Sequence, residues 1–227
     1  MSFEAQYDME ASPFARGAKV LVHQCRSRAT GAVCAAKVYA KADIPHRRYD
    51  KCLLEAEIGR AVPAHPNVMR VLEVFDEAER VVLVCEYMKG GTLFELLTTG
   101  GPLPEDRAGR LTYQLLQGLD HLHKSGVMHR DIKPENLFFR SGARDVIVIG
   151  DFGFATTEIP STGYMGSPQY SAPELALIGL HRDEASALKA MYNEKCDLWS
   201  IGVVLFVMLT GLLPFDGLTP TRCSLPL

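Results

Sequence analysis

Long hydrophobic runs are missing from this 227-residue sequence. The longest, residues 201–213, is broken by Gly202, Thr210 and Gly211 and is too short to cross a bilayer. It is expected to be a buried helix, and no membrane partner is expected. The first ten residues, MSFEAQYDME, are acidic and lack the apolar centre of a secretory signal. Cysteine pairing is missing too: Cys25, Cys34, Cys52, Cys85, Cys196 and Cys223 show neither C-x-x-C spacing nor the spacing of metal ligands. Scattered reduced thiols fit a cytoplasmic protein, with the nucleus as the alternative compartment. Charge of one sign is scarce, since 24 Lys and Arg against 27 Asp and Glu leave a formal net charge of -3. That balance gives no general drive toward nucleic acid or anionic membranes, so no nucleic-acid partner is expected. There is no internal repeat and no low-complexity linker. A hydrophobic content of 47% and a charged content of 22% are those of an ordinary globular protein.

Residues 7–39 and 68–88 carry short Val, Leu and Cys runs broken by Gly, Arg and Ala, a strand pattern. Between them, residues 46–62 place Leu54, Ile58 and Ala61 at helical spacing before Pro63. Five strands and one helix are expected to form a small N-terminal lobe. Residues 104–124 form a second helix with Leu111, Leu115, Leu119 and Leu122 on one stripe. Residues 197–209 form a third, apolar nearly all round and so expected to be central. The turn between the β-rich and helical parts falls near residues 86–91.

The densest chemistry lies in residues 129–153. His129-Arg130-Asp131-Ile132-Lys133-Pro134-Glu135-Asn136 supplies a carboxylate, an ammonium two residues on and an amide five residues on. After the strand-like Val146-Ile147-Val148-Ile149, Asp151-Phe152-Gly153 supplies a second carboxylate followed by glycine. Phosphoryl transfer needs such a set, because its catalysis is mostly positioning and charge neutralisation. Ala172-Pro173-Glu174 and Asp197-Leu198-Trp199-Ser200-Ile201-Gly202 follow in order.

Together these segments resemble the catalytic domain of eukaryotic-type protein serine/threonine kinases. The stretches around Asn136 and Trp199 are most similar to the calcium/calmodulin-regulated and calcium-dependent group, although the chain carries no EF-hand loop. The resemblance implies an α+β, two-lobed protein-kinase-like fold over residues 7–227. The β-rich N-lobe with one helix would occupy 7–88. A mainly helical, partial C-lobe lacking its last helices would occupy 89–227. It implies ATP and Mg²⁺ as cofactors and a protein substrate bearing Ser or Thr. By resemblance Asp131 orients the substrate hydroxyl, Lys133 neutralises the transferred phosphoryl group, and Asn136 and Asp151 hold the metal.

The same resemblance extends into the N-lobe. In Cys34-Ala35-Ala36-Lys37-Val38, Lys37 would hold the α- and β-phosphates, positioned by a glutamate from the following helix. The helical wheel does not choose between Glu55 and Glu57; family spacing favours Glu55. Gly59 stands where relatives place a bulky apolar residue, so this helix is expected to be poorly held. The phosphate-covering loop falls on Ala15-Arg16-Gly17-Ala18-Lys19-Val20-Leu21-Val22, where only Gly17 and Val22 fit the glycine-rich pattern. A degenerate nucleotide loop with weakened ATP affinity is expected, partly offset by the charges of Arg16 and Lys19. The Glu86 carbonyl and the Met88 backbone would bond adenine, Val22 and Ala35 would pack over it, and Cys85 would stand behind it.

Arg130 in relatives receives a phosphate from the segment between Asp151 and Glu174, and Thr162 lies nearest the usual position. Ser167 replaces a threonine that touches the catalytic Asp and Lys. Glu135 matches a glutamate that reads basic residues upstream of the target hydroxyl, but Thr92 stands where a second such acid is usual. A short helical piece is expected over 185–191 in an extended connection. Glu174 is expected to lack its arginine partner because residues 219–227 do not resemble the family's continuation. The leading expectation is thus an ATP-dependent protein serine/threonine kinase. The alternative is a pseudokinase-like binding or scaffold module, or an inactive truncated fragment.

Overall fold

The computed structural model describes residues 2–17, 19–43, 46–180 and 191–215. The expected helical piece at 185–190, Ala18 of the phosphate loop and the ending from 216 onward lie outside the described residues. The chain divides into two compact units: Met1–Ala64 with Met69–Met88, and His65–Val68 with Lys89–Leu227.

The first unit is built on an antiparallel sheet. Its strands are β1 (Tyr7–Met9), β2 (Ala15–Arg16), β3 (Leu21–Ser27), β4 (Val33–Ala40), β5 (Val71–Asp76) and β6 (Arg80–Glu86). The order is β1-β3-β4-β6-β5, with β2 also pairing with β3. Among the described residues this sheet has six strands rather than the expected five. Alternation along each strand sends side chains to opposite faces. On one face Cys25, Cys34, Ala36, Val82 and Val84 pack with Phe75 and with Phe3 and Tyr7. Phe3 belongs to a one-turn helix, α1 (Phe3–Gln6), that the sequence pattern did not reveal. On the other face Val81 and Leu83 pack with Ala56, Leu53 and Tyr39. Residues 81–85 are buried throughout, which explains an unbroken apolar run in β6.

Helix α2 (His46–Ala61) supplies Ala56. Its inward face is not the Leu54, Ile58, Ala61 stripe. Ile58 is buried, but Leu54 is 40% exposed and Ala61 is exposed. The buried positions are Cys52, Glu55, Ala56, Ile58 and Gly59, a stripe that includes a carboxylate.

The second unit holds α3 (Leu93–Gly100), α4 (Glu105–Lys124), α5 (Pro173–Leu180) and α6 (Lys195–Thr210), with strands β7 (Leu137–Phe139), β8 (Ile147–Ile149), β9 (Ser161–Thr162) and β10 (Met191–Tyr192). Leu111, Leu115, Leu119 and Leu122 of α4 are all buried, as the stripe predicted. Helix α6 buries Val203, Val204, Val207 and Met208 on one side. Its other side is not buried among the described residues, where Leu198, Phe206 and Leu209 are 40–47% exposed. Gly211 ends it in a left-handed cap, φ 71°. β7 and β8 form a hairpin in which Leu137 faces Ile149, which sets Asn136 beside Gly150.

Candidate active site

In the first unit, strand register and helix α2 place the predicted residues. Val22 faces Lys37 across β3 and β4, and Ala35 faces Cys85 across β4 and β6, so Val22, Ala35, Lys37 and Cys85 share one sheet face. That face meets α2. Lys37 Nζ donates to Glu55 Oε1 at 2.6 Å, and the Tyr39 hydroxyl donates to Glu55 Oε2 at 3.0 Å. Glu55 is buried and Glu57 is exposed, which decides between the two glutamates. The pair is closed in this structure, with Gly59 buried on the same face of α2 as Glu55. A buried carboxylate is tolerated because an ammonium and a phenol satisfy it.

Strand β2 and the start of β3 pair as a hairpin. Ala15 pairs with Val22, Arg16 pairs with Leu21, and the Gly17 N–H donates to the Val20 carbonyl at 2.9 Å. A Cβ on Gly17 would stand 2.7 Å from Val20 Cγ1, so the close turn accounts for this glycine. The Lys19 ammonium donates to the Asp43 carbonyl at 2.7 Å, an internal contact the sequence did not suggest. Glu86, the last residue of β6, and Met88 just beyond it are half-buried.

In the second unit, the loop after α4 gathers its polar groups around Asp131, which is 5% exposed. Its Oδ2 accepts from Lys133 Nζ and Asn136 Nδ2, each at 2.9 Å. Its Oδ1 accepts from the Ser167 hydroxyl at 2.8 Å, and Lys133 Nζ also donates to Ser167 Oγ at 2.8 Å. Ser167 reaches this position because Gly166, at φ 97°, lets the chain pass close to the loop bearing Asp131. A Cβ there would lie 2.3 Å from the Arg130 carbonyl oxygen. Asn136 also donates through Nδ2 to the Asp131 carbonyl, so both amide hydrogens are engaged.

The loop's backbone is held from below. The Asp131 N–H donates to His129 Nδ1 at 3.2 Å, which fixes the tautomer, so His129 Nε2–H donates to the Gly150 carbonyl at 3.1 Å. Gly150 N–H in turn donates to the Asn136 carbonyl. Asp151 follows at once, half-buried and at φ 65°. Phe152 is buried against the His129 ring, centroids 5.7 Å apart.

Asp197, only 1% exposed, is the residue whose importance the sequence reading missed. Its carboxylate accepts from the N–H groups of His129 (2.9 Å) and Arg130 (2.8 Å) and lies 2.9 Å from His123 Nε2. These bonds hold Arg130 at φ 66°. An acid opening an otherwise apolar helix was the available signal, because such a group must find donors.

A hard divalent cation fits what the loop offers. Asn136 has committed its amide hydrogens, which leaves its side-chain Oδ1 as a ligand, and Asp151, directly after Gly150, contributes a half-buried carboxylate. No cluster of three or more His, Cys, Asp or Glu suited to a metal occurs among the described residues, so the pair is one carboxylate with one amide.

Other predicted positions fall as follows. Glu135 is exposed. Thr92 caps α3 in a reciprocal capping box with Glu95 rather than facing outward as a free polar residue. Glu174 is exposed and forms no ion pair among the described residues. Arg130 does not reach Thr162. It bonds Ser161 and Tyr192 instead.

A model of the protein kinase domain matches residues 12–223. A probable myosin light chain kinase of Dictyostelium discoideum is 36% identical over 88% of this chain and 61% of its own length. Human calcium/calmodulin-dependent protein kinase type IV is 32% identical over 90% of this chain and 41% of its own. A zebrafish serine/threonine-protein kinase H1 homolog is 37% identical over 67% of this chain and 35% of its own. The chain thus spans 35–61% of the length of these relatives. With a matched model over nearly its whole length and the motif residues gathered around Asp131, the chain belongs to the protein kinase family.

Proposed function

We propose that this chain transfers the γ-phosphate of ATP to a serine or threonine hydroxyl of a protein substrate. The observation that carries the reading is the Asp131 carboxylate, held by Lys133, Asn136 and Ser167 at 2.8–2.9 Å. In this reading Asp131 orients the incoming hydroxyl and accepts its proton. Lys133, already beside that carboxylate, neutralises charge as it develops on the transferred group. Lys37, held by Glu55, bonds the α- and β-phosphates, and the backbone of Glu86 and Met88 bonds adenine. Mg²⁺ would be held by Asn136 and Asp151 and would supply charge neutralisation at the phosphates.

A protein substrate with basic residues upstream of its hydroxyl is supported by the exposed carboxylate of Glu135 alone, since Thr92 is committed to capping α3. The buried thiols of Cys25, Cys34 and Cys196, which form no disulfide among the described residues, support a reducing compartment, cytoplasm or nucleus. The test is transfer of labelled γ-phosphate from Mg-ATP to a basic protein, with the purified chain beside its Asp131→Asn variant. A loss of at least about 100-fold in the variant is expected. Equal signals, or none from folded wild type, would move the reading to a non-catalytic binding module.

A further inference from the structure

Among the described residues, the Arg130 guanidinium has no anionic side-chain partner. The side chain is spent on neutral acceptors. Nε donates to the Phe154 carbonyl at 2.6 Å, and Nη1 donates to Ser161 Oγ at 3.1 Å and to the Tyr192 hydroxyl at 3.3 Å. Ser161 and Tyr192 stand directly opposite each other in the β9–β10 pair. Both are buried, at 6% and 4% exposure. Alternation in so short a ladder then fixes the other pair. Thr162 and Met191, opposite each other one residue along, are exposed. Bringing Thr162 to Arg130 would require a one-residue slip that turns Ser161 and Tyr192 outward.

The Tyr192 ring also packs with Met128, Ala172, Leu175 and Cys196. Tyr192 lies three residues before α6, whose Asp197 holds the backbone of Arg130. Arg130 is therefore gripped twice, by its N–H through α6 and by its side chain through β9 and β10.

We propose that Ser161 and Tyr192 are positioning residues, a hydroxyl latch that fixes Arg130, and with it the adjoining Asp131, without any phosphate on residues 151–174. The proposal rests on the kinase reading above. It assigns Thr162 no part in the alignment of the catalytic loop.

The test uses the full chain as wild type, Tyr192→Phe, Ser161→Ala, Ser161→Thr and Thr162→Ala. Each is assayed for phosphoryl transfer and for hydrogen exchange across residues 152–162. Tyr192→Phe keeps the buried ring and deletes one oxygen, so its melting temperature reports whether packing survives. A hydrogen bond to a charged group is worth about tenfold or more. Tyr192→Phe and Ser161→Ala should each lower kcat by about that factor, leave KM for ATP unchanged and speed exchange across 152–162. Ser161→Thr should restore the rate. Thr162→Ala and phosphatase-treated wild type should match untreated wild type. Wild-type rates in both Tyr192→Phe and Ser161→Ala, or a fall in rate on phosphatase treatment, would overturn the latch. If wild type itself transfers no phosphate, the kinase reading fails, and exchange decides the latch alone. Unchanged exchange in Tyr192→Phe would then overturn it.

Discussion

The imidazoles of His65 and His121 lie face to face, with centroids 4.8 Å apart and planes 19° from parallel. His65 Nδ1 accepts the Asn67 N–H at 3.1 Å, so protonation would remove an acceptor and set a charge against a second histidine. Burial first, and His121 second, hold the His65 pKa below its ordinary value of 6.5, with Asp120 opposing. An unfolded chain then binds more protons than the folded one below that value. Stability is full above pH 6.5 and declines as pH falls through it toward the folded value. Melting temperatures measured from about pH 7.5 down to about pH 5.5 should fall, and His65→Gln should flatten the slope. Nothing in the sequence pointed to this stack, because His65 and His121 are 56 positions apart and neither sits in a recognisable motif. Asp131, Lys133 and Asn136 could be singled out together in the sequence because they share one short loop, whereas Lys37 and Asp151 stood out through resemblance to the kinase family. The helical wheel alone left Glu55 as one of two, because it does not show which face of α2 meets the sheet, and only family spacing favoured it.

Helix α4 shows how one glycine serves a contact rather than a turn. Gly118 sits in the interior of a 20-residue helix, where glycine costs about 1 kcal/mol against alanine. The Asn67 carbonyl oxygen lies 2.7 Å from where a Cβ would stand. Asn67 cannot easily retreat. Its carbonyl accepts the Ile149 N–H at 2.8 Å, and its Nδ2 donates to Gln114 Oε1 at 3.1 Å and to the Ile147 carbonyl at 2.8 Å. Gly118→Ala should therefore lose more through strain than it gains in propensity, a net destabilisation of about 1–3 kcal/mol in urea unfolding. Helix α4 was readable from its apolar spacing and α6 from its apolar run. The expectation that α6 is central holds only for its inner side, since Leu198, Phe206 and Leu209 are exposed among the described residues. Helix α3 was missed although its Thr92 and Glu95 already spelled a capping box. The face of α2 was misread because hydrophobic spacing ranks Leu54 above Glu55, whereas the Lys37 ammonium makes the carboxylate the buried one.

At the scale of the whole chain, the order of motifs conveyed the family and the β-then-α sequence of elements. It did not convey α1, whose Phe3 is placed by a ring contact to Phe75 some seventy residues away. Short segments held by distant partners leave no periodic trace. The two units also interleave in sequence, since His65–Val68 leaves the first to join the second. Asp197→Asn replaces an acceptor by a donor facing three donor-bearing groups, and about 2–4 kcal/mol of stability should be lost with it. For a domain of this size that corresponds to a fall of roughly 5–15 °C in melting temperature.

Asp197 has a further consequence. In many enzymes the working loops soften before the body melts, so activity fades while the fold persists. Here the loop bearing Asp131 is tied through His129 and Arg130 to a carboxylate rooted in α6, whose inner side is core. Thermal inactivation and loss of tertiary structure should consequently be one event. Residual transfer activity and near-ultraviolet circular dichroism, followed on the same heated samples, should fall with midpoints within about 2 °C of each other. A gap of about 10 °C would mean that the loop lets go first. Coincident midpoints would mean that the chain has no heat-softened state that keeps its fold after its working loop has come apart.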